Sequence, residues 1–204
     1  IAMGNLANAY MAVGTPDSAL LLYEETFKLR EIQLGADHPQ TLGALNHLAA
    51  AVWQAGRQPE ALRHWEDALA RGRAKFGNDH VDVINGMMHL ATKYTQADKA
   101  DLAMPLFEEA AQRRRVVLGP SHVGAAEAEV LFADALIKRR SFAQAHAPLV
   151  RAYETLSALP PDGPQVRSML QRTLDLLIEV AQAEGKSEDA ARWRSERERS
   201  LGSP

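Results

Sequence analysis

Leu34-Gly35-Ala36-Asp37-His38-Pro39 decides the fold, because the stretch returns twice at a fixed distance. It comes back as Phe76-Gly77-Asn78-Asp79-His80-Val81 and again as Leu118-Gly119-Pro120-Ser121-His122-Val123. Gly35, Gly77 and Gly119 are 42 residues apart, and so are His38, His80 and His122. A period of this size marks a repeat array, whose units cannot bury their apolar faces alone and stack on one another.

The segments on either side read as helix pairs. Leu6, Ala7, Tyr10 and Val13 follow the i, i+3, i+4, i+7 spacing of one apolar face, and Gly14 closes that helix. Thr15-Pro16-Asp17 opens the next, with a cap candidate followed by proline at the first position. Ala19, Leu20, Leu22, Tyr23 and Phe27 form its buried side. The same pattern predicts helices over 40–55 and 58–75, 81–97 and 100–117, and 123–139 and 142–158. Leu159-Pro160-Pro161-Asp162-Gly163-Pro164 then breaks the period, since three prolines and a glycine cannot continue a helix. Helices over 165–184 and 187–200 follow.

The expected organisation is therefore four 42-residue repeats in 1–158, the first truncated at its start. A break at 159–164 and an atypical capping pair in 165–204 complete it. Because the first segment already reads as the middle of a repeat, the chain is expected to be a piece of a longer protein. β-Branched residues are sparse and strict alternation never lasts, so the fold class is all-α, an α-solenoid of antiparallel helix pairs.

Steps of 42 expose the packing rule. Ala7, Ala49, Ala91 and Ala133 share one register, and Ala19, Ala61, Ala103 and Ala145 another. Small residues recur where two helices cross closely. Tyr23, Trp65, Phe107 and Leu149 stand beside them as the large partners, with Tyr10, Val52, Tyr94 and Leu136 in a second set.

Composition narrows the function. A net charge of -3 offers no general attraction to nucleic acid or anionic membrane, and the charges divide evenly along the chain. Absence of cysteine rules out disulfides and thiolate metal sites. No apolar run approaches the roughly 18–20 residues of a membrane helix, and a cytoplasmic setting is expected.

The small-Ala-aromatic helix pairs resemble the tetratricopeptide repeat. The usual unit of 34 residues is extended to 42 here, about one turn per helix. Leu34-Gly35-Ala36-Asp37-His38-Pro39 together with Leu45-Asn46-His47-Leu48-Ala49 is similar to the kinesin light chain type. The tail from Gly185 to Arg194 resembles the ends of arrays in bacterial proteins, including those appended to serine/threonine kinases. The resemblance implies a right-handed superhelix and a role in binding other proteins. The pattern decays along the chain: Pro39 becomes Val81 and Val123, and the turn glycines Gly14 and Gly56 become Asp98 and Arg140.

Chemistry-bearing motifs are scarce. His38, His80 and His122 occupy one position of successive repeats, on the order of 10 Å apart, too far to share a zinc ion that needs ligands at about 2 Å. Their expected role is to fix the turn before the next helix, so no metal and no cofactor is expected. There is no phosphate-binding glycine loop, no His-Glu-x-x-His and no Gly-x-Ser-x-Gly, which leaves no catalytic candidate. Arg113-Arg114-Arg115 ends a helix, where cations complement the macrodipole.

In arrays of the resembled kind the first helix of each pair lines the concave face. The inward positions are then Asn5 and Asn8 in the first repeat and Asn46, His47, Trp53 and Gln54 in the second. Asn85, Met88, His89 and Gln96 follow in the third, and Glu127 and Asp134 in the fourth. Side-chain amides both donate and accept, so a ladder of them can pair with the backbone of an extended peptide. The expected function is a non-enzymatic scaffold that binds a peptide or partner protein in this groove, with no nucleic acid and no membrane. The alternative is a regulatory or sensing arm of a larger bacterial signalling enzyme such as a serine/threonine kinase.

Overall fold

The computed structural model describes residues 2–160 and 163–201, and these form ten α-helices with no strand among them. Two compact units divide the chain, residues 1–98 and 99–204. The first holds α1 (Ala2–Ala12), α2 (Pro16–Leu34), α3 (Pro39–Gln54), α4 (Gln58–Phe76) and α5 (Val81–Gln96). The second holds α6 (Ala100–Leu118), α7 (Val123–Lys138), α8 (Phe142–Ser157), α9 (Pro164–Ala183) and α10 (Ser187–Leu201). The division falls inside the third repeat, whereas the proline-rich break lies within the second unit. Of that break, Pro161 and Asp162 lie outside the described residues.

The recurring stretch works as a stop followed by a start. Gly35, Gly77 and Gly119 sit at φ 93°, 79° and 87°, a region that residues with a Cβ rarely enter, and so end α2, α4 and α6. Three residues later the histidine becomes the N-cap. His38, His80 and His122 accept through Nδ1 from the backbone N–H of Gln40, Asp82 and Gly124, at 3.2, 3.3 and 3.0 Å. Each ring thus satisfies one of the orphan donors of a helix start. The histidine period is a capping period.

Short turns close the helix pairs. In four of them the chain folds back on a 6→1 bond: Thr15 N–H to the Tyr10 carbonyl (3.0 Å), Arg57 to Val52 (3.1 Å), Ser141 to Leu136 (2.9 Å) and Lys186 to Ala181 (2.8 Å). The glycine of this turn is replaced at Asp98 and Arg140, yet both keep a positive φ of 56° and 58°. Geometry is held by the repeat even where the residue is not.

Packing follows the small-and-large rule. All eight periodic alanines are fully buried, and Tyr23, Trp65, Phe107, Leu149, Val52, Tyr94 and Leu136 are buried beside them, whereas Tyr10, expected in the second set, is exposed. A methyl at the crossing lets the helices approach, and the aromatic rings fill the volume alongside. In the first unit the Tyr94 hydroxyl donates to Glu66 Oε1 at 2.6 Å. In the second, α7 and α8 are tied by Arg151, which donates from Nε and Nη2 to both oxygens of buried Glu129 at 2.8 Å. The core of that unit extends through α9 to Trp193, whose ring meets Tyr153 edge-on at 5.3 Å.

Candidate functional site

Helical spacing brings the exposed faces of α3 and α5 to the two sides of a trough whose floor is α4. Pro39, Gly43 and Asn46 form one wall, and Asp82, Asn85, Gly86 and His89 the other. Trp65, Ala68, Leu69, Gly72 and Phe76 line it from α4. Its volume is about 370 Å³. From Trp65 to Phe76 the floor advances eleven residues, or about 16 Å at 1.5 Å per residue. That length matches about five residues of extended chain.

Three glycines keep the trough open. A Cβ on Gly43 would meet nothing within 4 Å, and one on Gly86 would make ordinary contact with Leu69 at 3.5 Å. A Cβ on Gly72 would touch Val83 at 3.5 Å and Leu42 at 3.9 Å. None of the three has a positive φ, so alanine fits each position. Glycine within a helix costs roughly 0.5–1 kcal/mol relative to alanine. Neither backbone conformation nor packing requires glycine here; what the missing side chains provide is space.

The polar groups are placed at the rims and beneath the floor. Asn46 and Asn85 are exposed on opposite walls. Trp65 is 3% exposed, and its indole N–H is buried without a hydrogen-bond acceptor. The His89 ring lies 5.1 Å from the Trp65 ring at 40°. Desolvation first, and the nearby Lys93 cation second, hold the His89 pKa below its ordinary value. The Lys93 ammonium stands 5.2 Å from the centre of the Trp53 ring and 5.5 Å from that of Trp65, and donates to Gln96 Oε1 at 3.2 Å. Burial lowers its pKa as well.

Of the residues expected to face the groove, Asn46, Asn85 and His89 meet in this trough. His47 is exposed but stacks on Tyr23 of α2 at 6.0 Å, away from that lining. Trp53 is half-buried against Trp65, with ring centres 5.7 Å apart, so it is partly a packing residue. Gln54 and Gln96 are exposed. Met88 requires correction: it is 6% exposed and belongs to the core. It shares a register position with Asn46, but the unbranched thioether is buried where the amide stays in water. The Asn5 and Asn8 side chains lie outside the described residues.

Glu127 and Asp134, in the second unit, are held by charge. Glu127 meets Arg114 at 3.1 Å, and Asp134 meets Lys138 at 2.8 Å and Arg172 at 3.2 Å. Glu127 and Arg172 border a smaller concavity of about 260 Å³ between α7 and α9. Arg113, in the basic run, pairs with Glu109 at 2.8 Å. Among the described residues no three His, Cys, Asp or Glu side chains are grouped to hold a metal ion, and no helix is long and apolar enough to cross a membrane.

Sequence reasoning assigned Trp65 to the core alone and passed over Gly43, Gly72, Gly86, Asp82 and Lys93. A signal was present on α5, where Asp82, Asn85, His89 and Lys93 follow one another at steps of three and four.

Comparison with known proteins agrees with this architecture. The tetratricopeptide repeat family model matches residues 1–74 and 44–115, together more than half of the chain. Among solved structures, BtubC (BKLC) from P. vanneervenii superimposes with a TM-score of 0.82 at 21% identity, over 97% of this chain and 78% of that one. A kinesin light chain-like protein of Podosopora anserina with nearly identical TPR-like repeats gives 0.80 at 20% identity, over 98% and 93%. MamA gives 0.64 at 11% identity, over 97% and 89%. Comparison with curated proteins finds no match.

Proposed function

The chain belongs to the tetratricopeptide repeat family, and we propose that its first unit is a non-catalytic module that binds an extended peptide segment of a partner protein in the α3–α4–α5 trough. Repeats of this family generally mediate protein–protein interactions, and their fold is generally non-catalytic. The observation that carries the reading is the set of three helical glycines, Gly43, Gly72 and Gly86, around one trough. A scaffold selected for stability alone would gain from alanine at each; a groove that must admit a backbone would not.

The remaining groups suit a peptide. Asn46 and Asn85 can each donate to a peptide carbonyl and accept from a peptide N–H, across the width of the trough. The Trp65 ring adds apolar surface to the floor between them. Main-chain pairing of this kind gives affinity without demanding one sequence. The lining holds no lysine or arginine, so the reading invokes neither nucleic acid nor a phosphorylated ligand.

Gly43→Ala/Gly86→Ala and Gly43→Leu/Gly86→Leu test this. Peptides enriched from a randomised display library on the wild-type chain serve as ligands. The alanine pair should raise unfolding stability by up to about 1 kcal/mol per site and weaken binding modestly. The leucine pair should stay folded and lose binding. Binding unchanged in the leucine pair would place the peptide elsewhere.

A further inference from the structure

A polar stripe of α5 runs Asp82, Asn85, His89, Lys93, the first three exposed and Lys93 half-buried. Eleven residues separate its first and last members, which returns the helix to within about 20° of the starting direction. The two therefore stand on one face, about 16 Å apart, beside opposite ends of the trough. Asp82 lines it next to Phe76, and Lys93 lies one turn beyond His89, over the Trp65 ring.

Each charge complements the α5 macrodipole, Asp82 in the first turn and Lys93 in the last, but among the described residues Asp82 has no lysine or arginine partner and Lys93 no carboxylate partner. The Asp82 carboxylate has 72% of its side-chain surface exposed, and its neighbour is His80 Nδ1 at 3.7 Å, an atom already accepting from the Asp82 N–H. Lys93 donates to a neutral amide and rests on two indoles, and among the described residues no carboxylate lies within 4.0 Å of its ammonium. Arg71, on α4, is by contrast held by Asp67 at 2.8 Å and Glu31 at 3.0 Å. Between the two charges the trough is lined by amides, glycines and apolar groups.

Resting on the reading of the trough as a peptide groove, we infer that it selects an extended segment with an acidic side chain at the Lys93 end and a basic side chain about five residues away, at the Asp82 end. The amides of Asn46 and Asn85 serve a peptide backbone running in either direction. Opposite charges at the two ends remove that degeneracy and fix the direction of the chain. Partial burial of Lys93 against the indoles strengthens its pull on a carboxylate, because the interaction is less screened than in water.

The experiment pans a randomised twelve-residue peptide library against the full chain and against Lys93→Gln, Asp82→Asn, Lys93→Glu/Asp82→Lys and Asn46→Ala/Asn85→Ala. Circular dichroism and the thermal midpoint of each variant confirm that it is folded; Asp82→Asn, at an exposed site, keeps the test available if a Lys93 variant unfolds. Wild type should enrich peptides with an acid and a base four or five positions apart, in one constant order. Lys93→Gln should erase the preference for the acid, Asp82→Asn that for the base, and the double charge swap should invert the order. The loss per removed charge should be on the order of tenfold in affinity. Binding lost in Asn46→Ala/Asn85→Ala but indifferent to the charge variants would overturn the charge inference and leave the groove standing. Binding retained in the asparagine pair, or no enrichment on wild type, would overturn both.

Discussion

The His89 ring packs 5.1 Å from the Trp65 ring, and one 42-residue period earlier the His47 ring packs 6.0 Å from that of Tyr23. The pairing is a property of the repeat: an aromatic on the second helix of one pair receives a histidine from the first helix of the next. It gives the two histidines one structural origin and different surroundings. His89 lines the trough and lies near Lys93, and His47 does neither.

The depressed pKa of His89 has a consequence for stability. A histidine whose folded pKa lies below its unfolded value of about 6.5 binds its proton more readily in the unfolded chain. Its penalty is absent at higher pH and develops as the pH falls through that value. Unfolding free energy measured from about pH 7.5 down to about pH 5 should therefore decline, and the decline should be shallower in His89→Gln. An identical slope in the variant would assign the acid sensitivity to other groups.

The alanine crossings give a second expectation. Ala61→Leu or Ala103→Leu inserts three carbons at a fully buried site and should cost about 1–3 kcal/mol. Trp65→Ala, which empties the large position beside the crossing, should cost about 3–5 kcal/mol. Thermal or urea unfolding reads each loss. Unchanged unfolding in both alanine variants would show that the helices are not in close approach there.

The pairing of Arg151 with Glu129 can be divided into its parts. Glu129 is 3% exposed, and removal of its partner leaves a buried carboxylate alone. Breaking a fully buried pair costs about 3–5 kcal/mol; since Arg151 is 39% exposed in its side chain, Arg151→Met should cost nearer half of that. Adding Glu129→Leu should recover most of the loss, because the orphaned charge is then gone. A double variant no more stable than Arg151→Met would mean that the pair itself, and not the desolvated carboxylate, sets the cost.

The fold was legible because the sequence repeats its punctuation. Glycine with positive φ followed by a capping histidine three residues later marks every boundary between pairs from α2 to α7, and the alanine registers mark the crossings. The trough was half legible. Asn46, Asn85 and His89 followed from the expectation that first helices carry the binding face. Trp65 did not, because a large aromatic in a core register reads the same whether its ring is sealed or floors a trough. Glycines inside helices were equally silent, since only the space around a missing Cβ distinguishes a clash avoided from a cavity kept. Met88 misled because register assigns a direction, and a flexible side chain can leave that direction for the core.

The most direct test of the trough uses the three tryptophans, whose indole N–H groups give separate nuclear magnetic resonance signals. A ¹⁵N-labelled chain is titrated with a peptide enriched on the wild type, and the indole signals are followed with the side-chain amides of Asn46 and Asn85. Binding in the trough predicts that the Trp65 signal and both asparagine amides shift together and that Trp193, in the second unit, stays fixed. A saturating peptide that moves Trp193 and leaves Trp65, Asn46 and Asn85 unmoved would contradict it.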